Sequence, residues 1–330
     1  MSYCLRGVLS VTLLIGCNSL PIRCQSFVPA GSTKFAGVTT PDRFPHWDRG
    51  ILTYIATNDS ENTVIRSFDR SGAELSPKVF AVPGATTTHL EQVGRTGDGV
   101  VVACGTAYDR EGRGGGFVAW IGKSAAESTI IRTFPYVPYL LAVAPDNTVW
   151  TQGLEMVKGV EHRAPVNADH GLIRHFENSG KEIGSFIPRS SLPGKFVGLF
   201  QGMLAVSEGR VGWYSQDNGY IEVARDGNVT RYPLAPGLGH RASTLALTEN
   251  GAVLVTGQIS DGGANPATKR GDSVLYMLNR SDGQWKAVKP PPPVDSSQGL
   301  AIHGVEGNMI AFAGFDHGTP VIHFFSIRAD

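Results

Sequence analysis

The segment Gly99–Gly105 reads GVVVACG, a turn glycine followed by a short apolar run that ends in a second glycine. A run of this length that is rich in β-branched residues and bounded by glycines is typical of a buried β-strand. Similar segments occur five more times, at intervals of 48 to 56 residues. They are ILTYIAT after Gly50, TVWTQG after Asn147, MLAVSEG after Gly202, AVLVTG after Gly251 and NMIAFAG after Gly307. The sequence therefore predicts six structural repeats.

Each of these runs is followed by a second strand-like segment in which apolar and polar residues alternate. The alternation is clearest in Leu172–Phe176 and Tyr220–Val223 and is typical of a half-buried strand. Short outer segments such as STIIRTF and EIGSFIP come next, and several of them end in proline, which suits a sheet edge. Repeats of this length with four short strands predict the blades of a β-propeller.

The sixth repeat ends with PVIHFFSIRAD at Asp330, one strand short of a complete blade. Residues 27–38 precede the first repeat and can supply that strand, which would remove the free edge of an open ring. Glycine (41) and proline (20) are abundant, as expected for many short strands joined by turns. We therefore predict an all-β, six-bladed β-propeller over residues 35–330, closed by a strand from the preceding segment 17–34.

Three segments resemble the strand–turn–strand signature of NHL-repeat and streptogramin-lyase-like propellers. They are LLAVAPDNTVW at Leu140–Trp150, IEVARDG at Ile221–Gly227 and VTRYP at Val229–Pro233. The resemblance covers residues 35–330 as architecture, with sharp motif matches in two or three blades. It implies a propeller fold but no single activity, because propellers perform binding, scaffolding, lyase, hydrolytic and oxidoreductase roles. We transfer no catalytic residues from it.

The N-terminal residues predict export. Arg6 precedes the apolar run Gly7–Gly16, which is too short for a membrane-spanning helix and has the length of a signal-peptide core. Leu14–Cys17 resembles a bacterial lipobox, which predicts a signal peptide over residues 1–16 and lipidation of Cys17. The alternatives are an ordinary secretory signal cleaved near residue 26 and an uncleaved anchor. The folded part is expected outside the cytoplasm, held by lipid or else secreted or periplasmic.

Charge and cysteine usage exclude some partners. Lysine plus arginine and aspartate plus glutamate number 29 each, so no overall field attracts nucleic acid, and membrane contact is expected only through the lipid. Cys24 and Cys104 could pair in an oxidising compartment, but Cys104 lies in an apolar run and is interpreted as a buried free thiol. Because no zinc-ligand spacing occurs, no metal site is predicted. We expect a monomer, and the cofactor, if any, is unknown.

Loops that join second to third strands should share one propeller face with the connections between blades, and long loops on a rigid scaffold often carry function. The long ones are predicted at Ala107–Gly115, Leu154–His170, Glu208–Asn218 and Ile259–Asp272. The residues predicted to form a ligand-binding face there are Glu161, His162, Asp169, His170, Trp213 and Tyr214. Histidine with carboxylates can bind a metal or move protons, and aromatic rings can stack on a sugar or peptide. The alternatives are a solvated loop and packing between blades.

A second group is predicted at the mouth of the central channel. His89 and Glu91 lie where a blade connection enters an inner strand, and His240 and Arg241 occupy an equivalent position. They are weak catalytic candidates, with strand capping and packing as the alternative. No GxSxG elbow, HExxH, P-loop or dinucleotide fingerprint occurs in the chain.

Two functional hypotheses follow. The first is an exported, lipid-anchored module of the cell envelope that binds a small molecule, a glycan or a protein. The second is a propeller enzyme, a lyase or hydrolase, with histidine and carboxylate groups at the channel mouth. Alanine at His89, Glu91 or His240 distinguishes them, because only the second predicts loss of turnover at an unchanged melting temperature.

Overall fold

The computed structural model describes residues 25–38, 45–58, 63–124, 127–157, 160–161, 169–192, 203–215, 218–236, 240–249, 251–258, 273–294 and 300–329. Within these ranges 66% of the residues are in β-strands and 2% are helical. The strands form six antiparallel sheets with four principal strands each, arranged as the blades of a ring. This confirms the predicted six-bladed β-propeller.

Blades one to three each run from the innermost strand to the outermost in chain order. Blade one contains β2 (His46–Asp48), β3 (Ile51–Asn58), β4 (Thr63–Asp69) and β5 (Glu74–Phe80). Blade two contains β6 (Thr87–Arg95), β7 (Val101–Tyr108), β8 (Gly114–Ile121) and β9 (Thr129–Arg132). Blade three contains β10 (Tyr136–Val143), β11 (Val149–Val157), β13 (Gly171–Phe176) and β14 (Glu182–Pro188), with the short β12 (Val160–Glu161) paired to β11.

Blades four and five follow the same order, and blade six takes its outermost strand from the start of the described chain. Blade four contains β15 (Met203–Ser207), β16 (Arg210–Ser215), β17 (Gly219–Ala224) and β18 (Val229–Tyr232). Blade five contains β19 (His240–Leu247), β20 (Gly251–Gln258), β21 (Val274–Asn279) and β22 (Gln284–Val288). Blade six contains β23 (Ile302–Glu306), β24 (Met309–Asp316), β25 (Thr319–Ala329) and β1 (Gln25–Lys34).

Strand β1 closes the ring as predicted, although it runs over residues 25–34 rather than 27–38. It pairs antiparallel with β25 from Gln25 opposite Ala329 to Lys34 opposite Val321. The Phe27 ring packs edge-on against Phe312, with ring centroids 5.7 Å apart. The pairing covers the edge of β25 that an open ring would leave free.

The core consists of apolar layers between neighbouring blades. Between blades three and four, for example, Trp150 and Ile173 belong to one cluster with Val211 and Ile221. Burying a large apolar side chain contributes roughly 1.5–3 kcal/mol, so each layer fixes one blade against the next. The layers hold the innermost strands around a common axis.

Blade four differs from the sequence prediction by one strand. The apolar run after Gly202 was predicted to match the second strands of the other blades, but Met203–Ser207 is the innermost strand β15. The second strand is β16, which follows Gly209 and pairs with both β15 and β17. Inner and second strands are both enclosed between blades, so a glycine followed by an apolar run does not distinguish them. The predicted loop Glu208–Asn218 therefore contains a hairpin turn and the strand β16.

Candidate functional site in the central channel

The innermost strands of all six blades surround a cavity of about 200 Å³ on the propeller axis. Each blade contributes lining residues from its first strand or the adjoining turn. A larger groove of about 470 Å³ lies on the outer rim between β5 and the turn after β8, with Lys78, Val79 and Lys123 among its lining residues. The channel is the better candidate site because it is enclosed by the whole ring and contains partly buried titratable side chains.

Two histidines line the channel where blade six meets blade one. His46 begins β2, and His303 lies on β23. His303 Nδ1 is 3.0 Å from the carbonyl oxygen of Pro45. A carbonyl only accepts hydrogen bonds, so Nδ1 carries the proton and donates, which leaves Nε2 of the neutral ring as an acceptor. Burial lowers the pKa of His303 to about 4, so the ring is neutral at pH 7.

Two carboxylates line the same part of the channel. Asp48 and Glu306 are the last residues of β2 and β23, next to the first hairpin turns of their blades. Burial raises the pKa of Asp48, and the negative charge of Glu306 raises it further. Asp48 Oδ2 and Glu306 Oε2 are buried and accept no hydrogen bond. A buried oxygen that accepts no hydrogen bond lowers the stability of the fold. A hydrogen-bond donor next to it would remove that loss.

The arginines beside these carboxylates donate mainly to other groups. Arg49 sends NH1 to the carbonyl oxygen of Arg95 at 2.9 Å and NH2 to that of Ala144 at 3.0 Å. Its NH1 is 3.8 Å from Asp48 Oδ2, which is too long for a hydrogen bond. Arg95 donates to the carbonyl oxygen of Gly99 and to Ser67 Oγ. Arg49 thus ties the first hairpin turns of blades one, two and three together and moderates the negative charge of Asp48.

A bulge interrupts the innermost strand at a similar level in four blades. The register shifts lie at Leu90/Gln92, Pro138/Leu140, Ala242/Thr244 and Ile302/Gly304. A bulge inserts one extra residue and re-aims its side chain, and the inserted residues include Glu91, Tyr139 and His303. Burial, together with the negative charge of the nearby Glu91, raises the pKa of Tyr139 to about 12.

The glycines that end the predicted second-strand runs make room for two of these bulges. A Cβ at Gly105 would lie 2.0 Å from the carbonyl oxygen of His89, and one at Gly153 would lie 2.1 Å from that of Val137. Both contacts are far inside van der Waals distance. The repeated glycine therefore lets the inner strand approach its neighbour closely beside the bulge.

His89 and Glu91, which were predicted at the channel mouth, lie next to each other on β6. His89 Nε2 is 3.7 Å from Glu91 Oε1 and 3.4 Å from Asn58 Nδ2. The His89 side chain is 42% exposed, whereas that of Glu91 is 11% exposed. His240 and Arg241 begin β19 of blade five, but their side chains lie outside the described part of the structure. Of the four residues predicted at the channel mouth, the structure therefore describes the side chains of His89 and Glu91.

Trp213 and Tyr214 do not form part of an exposed face. Both lie on β16, and they are 1% and 3% exposed. The Tyr214 ring packs edge-on against Trp285 of blade five, with centroids 6.2 Å apart. Trp213 and Tyr214 therefore pack between blades, which was the alternative to a ligand-binding role. They were predicted in a loop because the strands of blade four were assigned one position out of step.

The predicted residues of the blade-three loop are only partly described. Asp169 Oδ2 accepts a hydrogen bond from the Ser190 backbone N–H at 2.8 Å. His170 is 6% exposed, and its Nε2 accepts a hydrogen bond from the Glu155 backbone N–H at 3.3 Å. Both contacts position the chain around the loop. Glu161 lies on β12 without a described side chain, and His162 lies outside the described residues.

The cysteine predictions are tested in part. Cys104 is a fully buried free thiol, and burial raises its pKa well above the usual value. Cys17 and Cys24 lie outside the described residues. Over the described ranges, no three histidine, cysteine, aspartate or glutamate residues are grouped so that they could hold a metal ion. In the same ranges, no helix has the length and apolar character needed to cross a membrane.

The sequence prediction missed His46, Asp48, His303 and Glu306. Their only sequence signal was position on the short strand that precedes a predicted second strand: Asp48 and Glu306 lie one or two residues before a turn glycine, and His46 and His303 lie four residues before it. The same reasoning that selected His89 and Glu91 on an inner strand would have selected them. The two pairs are separated by more than 250 residues, so no local spacing links them.

The fold and the channel define the class of protein, a closed six-bladed β-propeller. No protein-family model matches the chain, so the resemblance to NHL-repeat and streptogramin-lyase-like propellers stays a prediction at the family level. No curated protein matches the chain either.

Solved structures of other proteins are similar to this chain at low identity. One is the β-propeller domain of a trilobed protease from Pyrococcus furiosus, at 10% identity and a TM-score of 0.47, covering 87% of this chain and 83% of that one. Another is an ulvan lyase, a polysaccharide lyase, at 11% identity and a TM-score of 0.48, covering 91% and 84%. A third is the Malassezia sympodialis allergen Mala s 1, at 11% identity and a TM-score of 0.46, covering 92% and 96%. At these identities the similarity transfers no ligand or activity to this chain.

Proposed function

We propose that this propeller is a ligand-binding module whose site is the cavity in the central channel. One observation carries the proposal: a cavity of about 200 Å³, enclosed by all six innermost strands, is lined by His46, Asp48, His303 and Glu306. Enclosed cavities with a few convergent polar groups and perturbed pKa values are the usual form of small-molecule sites. The small volume favours a small molecule over a protein segment or a glycan chain.

A panel of small molecules tests this proposal when it is combined with a variant that fills the cavity. Leu140 lines the cavity, so Leu140→Phe places additional volume in it. Val79→Phe is the matched control, because Val79 lies on the outer rim and is 72% exposed. Amines, carboxylates, amino acids and sugars are screened by ligand-observed NMR against the full chain and both variants.

The expected result is that at least one class binds the native chain and Val79→Phe but not Leu140→Phe. Binding that persists in Leu140→Phe, or the absence of binding by every class, contradicts the proposal. The same samples are assayed for consumption of the bound compound, since turnover would favour the lyase or hydrolase hypothesis over simple binding.

We further propose that the protein is exported and lipidated at Cys17, which would place the channel at the cell envelope. The apolar run Gly7–Gly16 followed by Cys17 supports this proposal. Mass spectrometry of the mature N-terminus tests it. A diacylglyceryl-modified Cys17 is the expected first residue, an N-terminus near residue 26 would instead indicate an ordinary secretory signal, and an intact Met1 would contradict export by cleavage.

A further inference from the structure

The channel cavity has a one-sided hydrogen-bonding character where blades six and one meet. Asp48 Oδ2 and Glu306 Oε2 are buried carboxylate oxygens that accept no hydrogen bond. The proton of neutral His303 lies on Nδ1, which donates to Pro45, so Nε2 presents a lone pair. The described part of the cavity lining therefore carries two carboxylates and a neutral histidine, and the two buried carboxylate oxygens have no hydrogen-bond donor.

The neighbouring arginines do not supply these donors. The Arg49 guanidinium donates to backbone carbonyl oxygens of blades two and three, and its closest approach to Asp48 is 3.8 Å. Arg95 is directed towards Gly99 and Ser67. Arg49 and the two terminal nitrogens of Arg95 are therefore held by other partners, and the buried Arg95 Nε has no partner among the described residues and donates to neither carboxylate.

A ligand with several N–H bonds on one atom would complete this arrangement. We propose that the channel cavity binds a compact primary ammonium ion, whose N–H bonds donate to the carboxylates of Asp48 and Glu306. This inference rests on the proposed function and specifies the chemical class of its ligand. Hydrogen bonds between an ammonium group and a carboxylate are among the stronger ones in proteins, particularly away from bulk water.

The cavity also limits the rest of the ligand. A volume of about 200 Å³ is below the range of roughly 300–1,000 Å³ that is typical of sites for drug-sized ligands. Leu140 and Val206 contribute apolar surface to the lining. A short alkyl chain attached to the ammonium group fits both the volume and this surface, whereas a saccharide of several units would not fit.

Isothermal titration calorimetry of the full chain with n-butylammonium at pH 8 tests the inference. The amine is protonated there, because alkylamines have pKa values above 10. Butan-1-ol matches its size without the charge, and tetramethylammonium carries the charge without N–H donors. We expect saturable binding of butylammonium and at least tenfold weaker binding of both comparison compounds. Equal binding of either comparison compound, or no saturable binding of butylammonium, overturns the inference.

Two isosteric variants locate the site. Asp48→Asn and Glu306→Gln each replace an acceptor oxygen with an amide and should weaken butylammonium binding at least tenfold. Glu177→Gln is the matched control, because Glu177 is partly exposed on the outer turn after β13 and should leave binding unchanged. Unchanged affinity in both channel variants overturns the inference. The comparison of the three compounds on the native chain decides the question even if one variant does not fold.

Failure of this inference is distinguishable from failure of the proposed function. If a carboxylate or a neutral compound binds in the cavity while butylammonium does not, the channel is a ligand site but the ammonium assignment is wrong. If no class of compound enters the cavity, both are wrong.

Discussion

Gln152 is completely buried on β11, and neither its Oε1 nor its Nε2 has a hydrogen-bond partner. It lies between Trp150 and Leu154 on the same strand, both of which belong to the apolar layer between blades three and four. Burying an amide without partners costs roughly 1–3 kcal/mol in proteins. Gln152 is thus a local weakness in an otherwise apolar layer.

We expect Gln152→Met to increase the free energy of unfolding by about 1–2 kcal/mol, because methionine has a similar shape and no unsatisfied polar atoms. Urea denaturation measures the change. Gln152→Ala is the comparison, and it should be destabilising because it leaves a cavity. If Gln152→Met is instead destabilising, the amide has a bound water as a partner.

His303 makes stability depend on pH in a defined direction. Its pKa in the folded chain is lowered to about 4 from the ordinary value of 6.5, chiefly by burial, with a further effect of His46. Between these two values the unfolded chain binds a proton that the folded chain does not, so stability is complete above pH 6.5 and falls as the pH decreases towards 4.

Between pH 7.5 and pH 5, this single histidine should remove about 2 kcal/mol from the free energy of unfolding. We therefore expect His303→Gln to reduce the loss between these pH values by about that amount, as measured by urea denaturation at each pH. His317→Gln is the control, since the His317 side chain is 99% exposed. An unchanged pH dependence in His303→Gln would contradict the burial of His303 as a neutral ring.

At the scale of the strands, the bulges on β6 and β10 depend on glycines of the neighbouring strands. Gly105 lies opposite Leu90, just before the bulge at Glu91, and Gly153 lies opposite Pro138, just before Tyr139. The repeat of apolar run plus glycine, which is visible in the sequence, therefore reflects the shape of the inner strand that it faces.

We expect Gly105→Ala to destabilise the protein by about 3 kcal/mol or more, because the added methyl group would lie 2.0 Å from a backbone oxygen that has no side-chain freedom to move. Thermal denaturation followed by circular dichroism measures the effect. Gly37→Ala is the milder comparison, since its new Cβ would meet the edge of the Phe68 ring at 3.2 Å. Equal melting temperatures for the two variants would show that the inner strand tolerates a shift.

The strands themselves were largely predictable, and the misassignment in blade four shows why some were not. Third strands such as Leu172–Phe176 were recognisable from their alternation of apolar and polar residues, although the structure buries both of their faces and leaves only Arg174 partly exposed. Met203–Ser207 and Arg210–Ser215 both follow a glycine and both pack between blades. Which of the two strands lies nearer the axis depends on the strands with which each one pairs. A local sequence pattern carries no information about that pairing.

At the scale of the whole molecule, ionic contacts supplement the apolar layers between blades. Glu222 of blade four is 3% exposed and accepts from Arg280 Nε at 2.9 Å, from Arg210 at 3.0 Å and from the Tyr220 hydroxyl at 2.9 Å. Arg280 follows β21 of blade five and also donates to the carbonyl oxygen of Thr248. The cluster joins blades four and five.

We expect Glu222→Gln to lower the free energy of unfolding by about 3–5 kcal/mol, because it leaves two guanidinium groups without their buried counter-charge. The matched control is Glu74→Gln, which breaks the 2.6 Å pair with Arg66 at the outer rim, where less than about 1 kcal/mol is expected. Chemical denaturation of both variants compares them directly. Similar small losses would mean that the apolar layers alone fix blade four against blade five.

The channel is the feature that the sequence indicated least. The ring as a whole was predictable, because six repeats and a missing outer strand require closure. Its lining comes from one or a few residues of each blade, and the blades are about 50 residues apart in the chain. His46 and His303 become neighbours because the innermost strands of blades six and one, β23 and β2, lie side by side in the ring. The candidate site is therefore a property of ring closure rather than of any segment.

Crystals of the full chain soaked with a library of small fragments, including primary amines, test the channel site most directly. We expect fragment density in the axial cavity, with an amine nitrogen within hydrogen-bond distance of Asp48 and Glu306. Fragments that occupy only the outer-rim groove or the loop face, while the axial cavity holds nothing but water, would contradict the account.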